Sequence, residues 1–403
     1  MVRGVSTEAR VIPQSTANPV EVRAVDVMRD KRQLETFLRV PWTLGMANDP
    51  VWVPPLLDDY RRMLDPKRSP FLKHARLQAF LAYRNGQPVG RITAQIDHDF
   101  DRHWPSEPGL AFFGFFECKD DPVIARALLA AAESWARAQG RTRLRGPFTP
   151  DSKSEMGVLI DGFQHPPRIG MSYNKPYVGG LIEAAGYRKA KDLYAWWYQA
   201  NSPIDPLTKK LADRTRALPN VRVRTMDLKH MQREAEIVRE VFNEAWEENW
   251  NFVPFTQEEL EIIATEYKQF LDPEIALVAE VDGKPAAICL AVPDINELIR
   301  DFDGELMKKP LNLVKLLWRL KFARPKAARL ILLGVKKQYR ASRKYGALVA
   351  VLYEEVARRG SKRGYVGGEL GWTLEDNDQI NIGIARMGAK HYKTYRLYEK
   401  SLV

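Results

Sequence analysis

The same order of predicted elements occurs twice along the chain, and this repeat constrains the fold more than any other feature. In each half an alternating strand leads through helical sequence to a hairpin. The turn is Asn85-Gly86 in the first half and Asp282-Gly283 in the second. Such pairs favour tight hairpin turns because both central residues must adopt positive φ. The two hairpins align without a gap, which predicts two copies of one module.

The elements that follow each hairpin also match. An apolar strand, a helix, a second strand and a last helix lead through a glycine-containing turn into a Tyr-rich strand. The stretch between the halves, residues 201–220, holds three prolines and is typical of a linker. The sequence therefore predicts an α/β fold, with an α+β mixed sheet, in which two tandem modules pack against each other. We expect modules at 19–200 and 221–403, preceded by a flexible N-terminus at 1–18, and a basic amphipathic insertion at 306–326 within the second module.

The composition limits the class of protein. A chain of 403 residues is too long for one ordinary core, and 45% hydrophobic residues are enough to fill two. Cys118 and Cys289 lie on separate predicted strands, so we expect two reduced core thiols, no disulfide and no metal site. The start lacks an apolar segment of signal-peptide length, and no stretch reaches the roughly 18 apolar residues of a membrane span. These features predict a cytoplasmic protein, either soluble or peripheral on the inner face of the membrane.

Positive charge is concentrated in one segment. Residues 306–345 hold thirteen Lys and Arg and no Asp or Glu, whereas the net charge of the whole chain is +11. The pattern predicts an amphipathic helix at 310–322, followed by a strand and turn at 330–345. A structured cationic segment of this kind suits an anionic ligand, an anionic surface, or both.

The order of elements in each half resembles that of the GNAT acyltransferase fold. In that superfamily the fourth strand runs into a turn of the form Val-x-x-x-x-Arg-x-x-Gly-x-Gly/Ala, whose amides and following helix N-terminus hold the pyrophosphate of coenzyme A. The segment 335–347, VKKQYRASRKYGA, is similar, but Arg343 and Tyr345 take the glycine positions and Gly346 comes one place late. Either the loop is reshaped or side chains replace part of the amide site, and a solvated basic turn is the structural alternative. The resemblance assigns cofactor binding to Leu333, Gly334, Val335, Arg340, Arg343, Tyr345, Gly346 and Ala347.

A second motif of that fold also occurs twice. It is an Asn on the last helix, followed about eleven residues later by the Gly that turns into the closing strand. Asn377 and Gly388 have this spacing, and Asn174 and Gly186 have it with one extra residue. Because both copies are in register with the hairpins, they favour a tandem GNAT fold.

The first half differs from the second where the phosphate turn belongs. Its corresponding sequence is ECKDDP, residues 117–122. Asp121 suits a helix N-cap with Pro122 at the first helical position, but a carboxylate there repels pyrophosphate. We therefore expect only the second half to bind coenzyme A, and the first half to serve as a scaffold or as a wall of the acceptor cleft.

Several longer strings carry a closer resemblance, among them GFFECKDD, GPFTPDSKSEMGVLIDGF, YNKPY, LIEAAGYRKAKDLYAWWY, ELGWTLEDN and HYKTYRLYEK. Over roughly residues 20–400 they look like the large bacterial GNAT family that includes the bacterial ceramide synthases. The resemblance implies transfer of a long-chain acyl group from acyl-CoA, or from acyl carrier protein, to the amine of sphinganine or 3-ketosphinganine. It implies acyl-CoA as a co-substrate and no permanently bound cofactor. The family is broader than that activity, so another amine remains an alternative acceptor.

The helix predicted at 310–322 carries apolar residues at helical spacing. Its apolar row is Leu313, Leu316, Leu317 and Leu320, and Lys315 and Arg319 lie on the opposite side. With Trp318, this row could hold the enzyme at an anionic membrane, where a lipid amine and its acyl donor are collected. The alternative is a helix that packs its Leu face on the core and leaves its charges in water.

Amide formation requires a free amine, a polarised thioester carbonyl and a protonated leaving thiolate. Glu369 is the favoured base because a carboxylate in an apolar strand must be paired or functional, and an inter-domain salt bridge is its alternative role. Backbone amides at 332–335 are expected to polarise the carbonyl. Further catalytic candidates are Asp376, Asn377, Tyr395, Tyr398 and His391, and the residues expected to contact substrate are Tyr173, Asn174, Trp372 and Trp318. Asp376 could instead be a helix cap, and the tyrosines could belong to the core.

Two other classes of function stay open. A nucleic-acid-binding protein would also be basic, although the charge here alternates with Leu rather than with stacking aromatic residues. The second possibility is an acyltransferase that modifies a soluble small amine or a peptide.

Overall fold

The computed structural model describes residues 19–151 and 153–403. The predicted flexible N-terminus at 1–18 lies outside the described residues. Within them the chain forms a mixed α/β structure, which confirms the predicted fold class.

Strands and helices alternate in both halves. The strands are β1 (Glu21–Val25), β2 (Ala75–Arg84), β3 (Gln87–Asp97), β4 (Leu110–Cys118), β5 (Arg143–Gly146), β6 (Phe148–Thr149), β7 (Glu155–Met156), β8 (Val158–Asp161), β9 (Arg188–Gln199), β10 (Val221–Thr225), β11 (Ala276–Val281), β12 (Lys284–Pro293), β13 (Ala327–Val335), β14 (Gly367–Leu374) and β15 (Lys390–Ser401). The helices are α1 (Lys31–Thr43), α2 (Leu57–Met63), α3 (His98–His103), α4 (Pro122–Ala138), α5 (Tyr177–Ala184), α6 (Pro206–Arg216), α7 (Met231–Trp246), α8 (Gln257–Tyr267), α9 (Asn296–Ile299), α10 (Pro310–Phe322), α11 (Lys337–Arg340), α12 (Leu348–Lys362) and α13 (Asp378–Arg386).

The turns that predicted the repeat have matching backbone geometry. Asn85 and Gly86 join β2 to β3 with φ of 54° and 72°, and Asp282 and Gly283 join β11 to β12 with φ of 52° and 72°. Two successive positive φ values define the hairpin turn that Asn-Gly and Asp-Gly favour. Both predicted hairpins are confirmed.

The sheet exchanges its closing strands between the halves. One path runs β1-β2-β3-β4-β5-β15-β9-β14-β13-β12-β11-β10 through the described residues. The last strand of the chain, β15, therefore pairs with β5 of the first half, and β9 pairs with β14 of the second. β15 and β9 also pair with each other at the centre. The predicted boundaries separate two sequence repeats, whereas the hydrogen bonds of the sheet join the halves across them.

Helices cover both faces of this sheet. In the first half α4 packs on one face through Ile124, Leu128 and Leu129, and α1 packs on the other through Phe37 and Leu38. In the second half α12 and the pair α7 and α8 take the corresponding faces. The segment predicted as a linker contains α6, which packs against α12. Strands covered on both sides are apolar along most of their length, as β3 and β12 are here.

The two cysteines lie in the cores, as the sequence predicts. Cys118 ends β4, Cys289 lies within β12, and both are free and buried. Burial raises the pKa of the Cys118 thiol to about 12, and the Cys289 thiol is shifted in the same direction. Both thiols are therefore protonated near neutral pH.

Candidate active site

A cavity of about 890 Å³ lies between the halves of the chain. Its walls come from α2 and the β6–β7 hairpin of the first half, and from α7, α8 and α10 of the second. Its floor is formed where the parallel strands β13 and β14 separate. They pair from Ala327 to Leu330 on β13, and β13 then continues with β12 alone as its neighbour among the described strands.

A bulge on each of the separating strands turns a side chain toward the cavity. Ile331 is the extra residue of β13 between its pairs Leu330 with Ala291 and Leu332 with Leu290. Trp372 is the extra residue of β14 opposite β9. Both Ile331 and Trp372 line the cavity, because a bulge re-aims the side chain that it carries.

Three helices supply long apolar walls. The lining side chains include Val238, Phe242 and Trp246 of α7, Leu260, Ile263 and Tyr267 of α8, and Leu313, Leu316, Leu317 and Leu320 of α10. The row that the sequence predicted on α10 therefore faces the cavity. A space of this size with aliphatic and aromatic walls suits an extended hydrocarbon chain.

A carboxylate stands at the polar end of the cavity. Glu155, on the β6–β7 hairpin, accepts a hydrogen bond from the hydroxyl of Tyr60, which lies 3.1 Å from each carboxylate oxygen. Burial raises the pKa of Glu155 to about 7; its interactions with Tyr60 and Arg91 oppose the shift only in part, and Glu117 adds to it. A carboxylate with a pKa near 7 can take a proton and release it at neutral pH.

Sequence reasoning did not single out Glu155. It lies in the string GPFTPDSKSEMGVLIDGF, which drew attention only as a family resemblance. The sequence feature that could have indicated Glu155 is the alternation of polar residues at 151, 153 and 155. These residues lie between two apolar strands, in a connection longer than a tight turn. No neighbouring residue indicates the raised pKa of Glu155, because the side chains that enclose it come from distant segments of the chain.

The wall beside Glu155 holds a second acid and a strained aromatic residue. Arg91 donates to Glu117 at 2.6 Å, and both line the cavity. Phe115 of β4 has φ of 47°, a left-handed conformation that is rare for a bulky side chain. The rings of Phe37 and Tyr60, at 5.6 and 5.0 Å, hold Phe115 in place.

Glu369 lies beneath the cavity floor on β14 and is fully buried. Its carboxylate accepts from the hydroxyl of Tyr392 and lies 3.3 Å from Lys393 Nζ and 3.6 Å from Arg329 Nε. Burial alone would raise the pKa of Glu369, but the charges of Lys393 and Arg329 outweigh it and hold the pKa below its ordinary value. The carboxylate is thus ion-paired, with partners on β13 and β15, and its catalytic role stays a prediction.

Arg329 connects Glu369 to the cavity. It lines the floor, and its guanidinium donates to the backbone oxygens of Ile169 at 2.6 Å and Gly371 at 3.0 Å. These contacts fix the cation at the point where β13 and β14 diverge.

None of the six predicted catalytic residues belongs to the cavity lining, and three of them have contacts elsewhere. Asp376 pairs with Lys191 at 2.7 Å, and this contact lowers its pKa. Asn377 caps α13 by accepting from the amide of Ile380 at 3.3 Å. His391 is exposed and packs against the ring of Tyr194 at 4.5 Å. The residue that caps α13 is Asn377 rather than Asp376, and the catalytic roles of these three residues stay predictions.

The two candidate acids on β15 differ in their surroundings. Tyr398 is buried in the first core and donates to Glu183 at 3.1 Å. Tyr395 is buried too, but its hydroxyl has no hydrogen-bond partner among the described residues. Burial and the nearby charge of Glu369 raise the pKa of Tyr395, so its proton is retained. Of the two, Tyr395 has the hydroxyl that is free to donate.

Of the four residues predicted to contact substrate, three border the cavity and one does not. Tyr173 and Trp372 line the cavity, and Tyr173 donates to Asp49 at 3.1 Å. Asn174 also borders it, but its amide is held by both backbone groups of Leu159, at 2.7 and 3.1 Å. Trp318 is 59% exposed and does not belong to the cavity lining, so we expect no contact between Trp318 and a substrate inside the cavity.

The turn predicted to hold phosphate is reshaped. After Val335 the chain forms the short helix α11 and only then enters α12, whose N-cap residue is Ala347. No described side chain caps α12. Arg340 and Arg343 are exposed beside this helix start. The amide of Gly346 donates to Ser342 at 2.7 Å, and a side chain at Gly346 would crowd that oxygen.

The remaining residues of this predicted site have structural contacts. Leu333 packs in the core, and Gly334 faces the ring of Trp246, which lies 2.6 Å from the position of an added Cβ. The hydroxyl of Tyr345 accepts from Asn220 at 2.7 Å. Coenzyme binding by these residues stays a prediction.

In the first half, the gap between the parallel strands β4 and β5, which corresponds to the separation of β13 and β14, is closed. The carbonyl of Phe148 lies against Gly114 of β4, where an added Cβ would overlap it. Gln95 donates to the carbonyls of Phe148 and Pro150 at 3.0 and 2.7 Å and holds this segment in the gap. Asp121 caps α4 by accepting from Val123 at 2.7 Å, with Pro122 at the first position. The predicted cap is confirmed.

One group of side chains has the composition of a metal site. His74, Asp97 and Asp99 bring ligand atoms within 4.8 Å of one another. Burial would lower the pKa of His74, but Asp97 and Glu259 outweigh it and raise the pKa to about 9. The His74 imidazole therefore keeps its proton at neutral pH and forms ion pairs with these carboxylates. Its contact to Asp97 at 2.9 Å lies within the first half, and its contact to Glu259 at 3.9 Å joins the two halves.

Among the described residues, no helix combines the length and the apolar character needed to cross a bilayer.

No protein-family model matches the chain. It is 38% identical over 375 residues to Protein YghO of Escherichia coli (strain K12), with 93% of this chain and 94% of that protein covered. It is 37% identical over 372 residues to the Bacterial ceramide synthase of Caulobacter vibrioides (strain NA1000 / CB15N), with 92% and 95% covered. Among solved structures it resembles a tandem GNAT protein from the clavulanic acid biosynthesis pathway, with a TM-score of 0.54, 16% identity, and 96% and 99% coverage. At that identity the likeness concerns the fold alone, and it confirms the predicted tandem arrangement.

Proposed function

The chain belongs to the tandem GNAT acyltransferase family that includes the bacterial ceramide synthases, and we propose that it transfers a long-chain acyl group from acyl-CoA to the amine of a sphingoid base. As a member of that family it is an N-acyltransferase. Sphinganine and its 3-keto form are the proposed acceptors, because the relative from Caulobacter is named a ceramide synthase.

The cavity between the halves is the observation that carries the proposal. It combines three apolar helical walls with a carboxylate of pKa about 7 at the divergence of two parallel strands. An amide-forming enzyme for lipids needs both parts. The walls accept hydrocarbon chains, and the polar end handles the proton that the amine must lose.

Glu155 is the proposed general base. An alkyl ammonium has a pKa near 10, so freeing the amine at neutral pH costs about 4 kcal/mol unless a base assists. Glu155 first takes one proton from the ammonium, which frees the nitrogen lone pair for attack on the thioester carbon. The new C–N bond then forms as the C–S bond breaks, and the thiolate leaves. Tyr60 orients the Glu155 carboxylate through its hydrogen bond.

The carbonyl oxygen becomes anionic during the attack. We propose that backbone N–H groups of β13 beyond Leu330 stabilise it, since that edge of the strand has no partner among the described strands. Arg329 adds a fixed positive charge at the same point. Glu369 then acts through Arg329, as a positioning residue, rather than as the base. Tyr395 is the proposed donor to the leaving thiolate, and the second proton lost by the nitrogen returns to the Tyr395 oxygen.

The donor's phosphates are proposed to bind at 335–347. The uncapped start of α12 and the exposed side chains of Arg340 and Arg343 are a suitable anion site next to the cavity floor. Acyl-CoA is then a co-substrate rather than a bound cofactor. An acyl carrier protein would present the same thioester on its phosphopantetheine and is the alternative donor.

The proposal is tested by assaying the purified protein with a long-chain acyl-CoA and three acceptors: sphinganine, 3-ketosphinganine and a soluble primary amine. Amide product from either sphingoid base, read by mass spectrometry, supports the assignment. Product from the soluble amine alone would overturn the lipid acceptor and leave the acyltransferase class intact. In cells, deletion of the gene should remove an amide-linked lipid, and unchanged lipids would count against the sphingoid acceptor.

A further inference from the structure

The helix α10 is apolar on two opposite sides. The inner side holds Leu313, Leu316 and Leu320, which line the cavity. The outer side holds a second row that the sequence pattern did not separate from the first: Leu311, Val314, Trp318 and Phe322. The predicted single amphipathic row therefore describes only the cavity side.

The outer row forms one continuous stripe in solvent. Its members follow the i, i+3, i+7, i+11 spacing of one helix face. They are between 59% and 83% exposed, and the rings of Trp318 and Phe322 lie 5.6 Å apart. Leu317 is 54% exposed and also lines the cavity, so it stands at the edge where the outer stripe meets the cavity wall.

Cations frame this stripe on every side. Lys315 and Arg319 flank one edge and Lys321 flanks the other. Further cations precede and follow the helix, namely Lys308, Lys309, Arg324 and Lys326. Lys315 and Arg319 contact Asp301. Lys326 contacts the carboxylate of Glu297 only through its backbone amide, at 2.7 Å. Among the described residues, the side chains of Lys321, Arg324 and Lys326 form no salt bridge.

We propose that α10 lies flat in the surface of an anionic lipid bilayer, with its outer row inserted and its inner row facing the cavity. A helix of 13 residues extends about 20 Å, enough to lie along the headgroup layer but too short to cross it. Lipid substrates then enter the cavity past Leu317 directly from the bilayer. This entry route rests on the proposed function, whereas the docking itself does not.

A bilayer fits the stripe better than a second copy of the chain does. A symmetric pairing of α10 with itself would bring two cationic rims together, including Lys321 and Arg324, whose side chains form no salt bridge among the described residues. Anionic lipid headgroups complement those charges, and an apolar row framed by Lys and Arg is typical of an interfacial helix.

Vesicle flotation of the full chain tests the docking. Wild type should float with phosphatidylglycerol vesicles, less so in high salt, and poorly with phosphatidylcholine vesicles. Val314→Glu/Trp318→Glu should weaken binding to phosphatidylglycerol at least about tenfold, because it removes apolar contacts and adds repelling charges. The matched control is Leu207→Glu/Leu211→Glu on α6, where two leucines are 59% and 43% exposed among other cations. The control should bind as the wild type does.

Three results would overturn the proposal: wild type that does not float, outer-row and control variants that float equally, or sedimentation velocity showing a wild-type dimer that Val314→Glu/Trp318→Glu dissociates. Circular dichroism and thermal melting establish that both variants fold. The flotation uses no acyl donor or amine, so it decides the docking even if no acyl transfer is ever found. If transfer occurs, the outer-row variant should lose rate toward a vesicle-embedded amine and keep its rate toward a detergent-dispersed one.

Discussion

The two halves of the chain reach the same structural point, a pair of parallel strands that separate, and complete it in different ways. In the second half the space beyond Leu330 opens into the cavity. In the first half the segment around Phe148 fills the equivalent space against Gly114. The filling segment continues into the hairpin that carries Glu155. The chain that closes one gap thus supplies the proposed base to the other.

The helix starts that follow these strands differ in charge as well. Asp121 neutralises the amides at the start of α4, whereas the start of α12 lacks a described side-chain cap and is flanked by Arg340 and Arg343. A duplicated module can keep its backbone while its polar termini diverge, because a cap requires one residue and no change of core. Under the proposed function, the second half binds the acyl donor and the first half supplies the base.

The largest expected effects come from replacing the buried carboxylate of each half. Glu155→Gln should lower kcat about 10²- to 10³-fold, since it removes the base. The wild-type rate should rise with pH through about 7, as Glu155 loses its proton, and the variant should lack this rise. Glu155→Gln should not lower Tm, because a carboxyl whose pKa is raised by burial is destabilised by ionising.

Glu369→Gln is the matched variant in the second half. It leaves Lys393 and Arg329 without their buried counter-charge, so it should lower Tm. If Glu369→Gln instead keeps its Tm, shows the large loss of kcat and removes the rise near pH 7, the roles assigned to the two carboxylates are reversed.

One added methyl group should lower the free energy of unfolding more at the closed gap of the first half than at the open gap of the second half. Gly114→Ala places a Cβ on the carbonyl of Phe148 and should cost about 3 kcal/mol or more in the free energy of unfolding. Gly334→Ala meets the ring of Trp246, which borders the cavity and can shift, so it should cost about 1–2 kcal/mol. Denaturant unfolding measures both. Equal costs would mean that the two gaps are packed alike.

The helix starts can be compared through charge reversal. Arg340→Glu/Arg343→Glu should raise KM for acyl-CoA about tenfold, since it replaces attraction for the phosphates by repulsion. Lys119→Glu, in the matching turn of the first half, should leave KM unchanged. An acyl thioester of N-acetylcysteamine, which has no phosphates, should show no difference between the proteins. An equal effect of Lys119→Glu would place the donor in the first half.

The smallest expected effect concerns the contact between the halves at His74. Its pKa is raised from 6.5 to about 9 in the folded chain, so its contribution to stability is complete below about 6.5 and is lost as pH rises through about 9. The difference in unfolding free energy between wild type and His74→Gln should shrink over that range, by on the order of 1 kcal/mol. A difference that is constant with pH would exclude a protonated His74.

Turns, helix caps and helix bounds could be predicted from the sequence, whereas the pairing of distant strands could not. The turns at 85–86 and 282–283, the Asp121 cap and the bounds of the helix at 310–322 follow from neighbouring residues, and the structure confirms each. The order of strands does not, because β15 finds β5 through main-chain hydrogen bonds that any strand could offer.

The candidate site shows the same division. The resemblance located the separating strands and the basic turn, but Glu155 depends on enclosure by α2, by β4 and by the second half. Glu369 drew attention because a charge in an apolar strand is visible in sequence. Its pairing with Lys393 and Arg329 became visible only once three strands were placed side by side.

The exchange of closing strands has a consequence for synthesis on the ribosome. Gly146 of β5 pairs with Tyr398 of β15, about 250 residues later in the chain. At translation rates of about 5–20 residues per second, β5 waits roughly 12–50 s for its neighbour. The N-terminal half therefore leaves the exit tunnel with an unprotected edge that invites association with other nascent chains. A chaperone that shields this edge until the last strand emerges would raise the yield of folded protein.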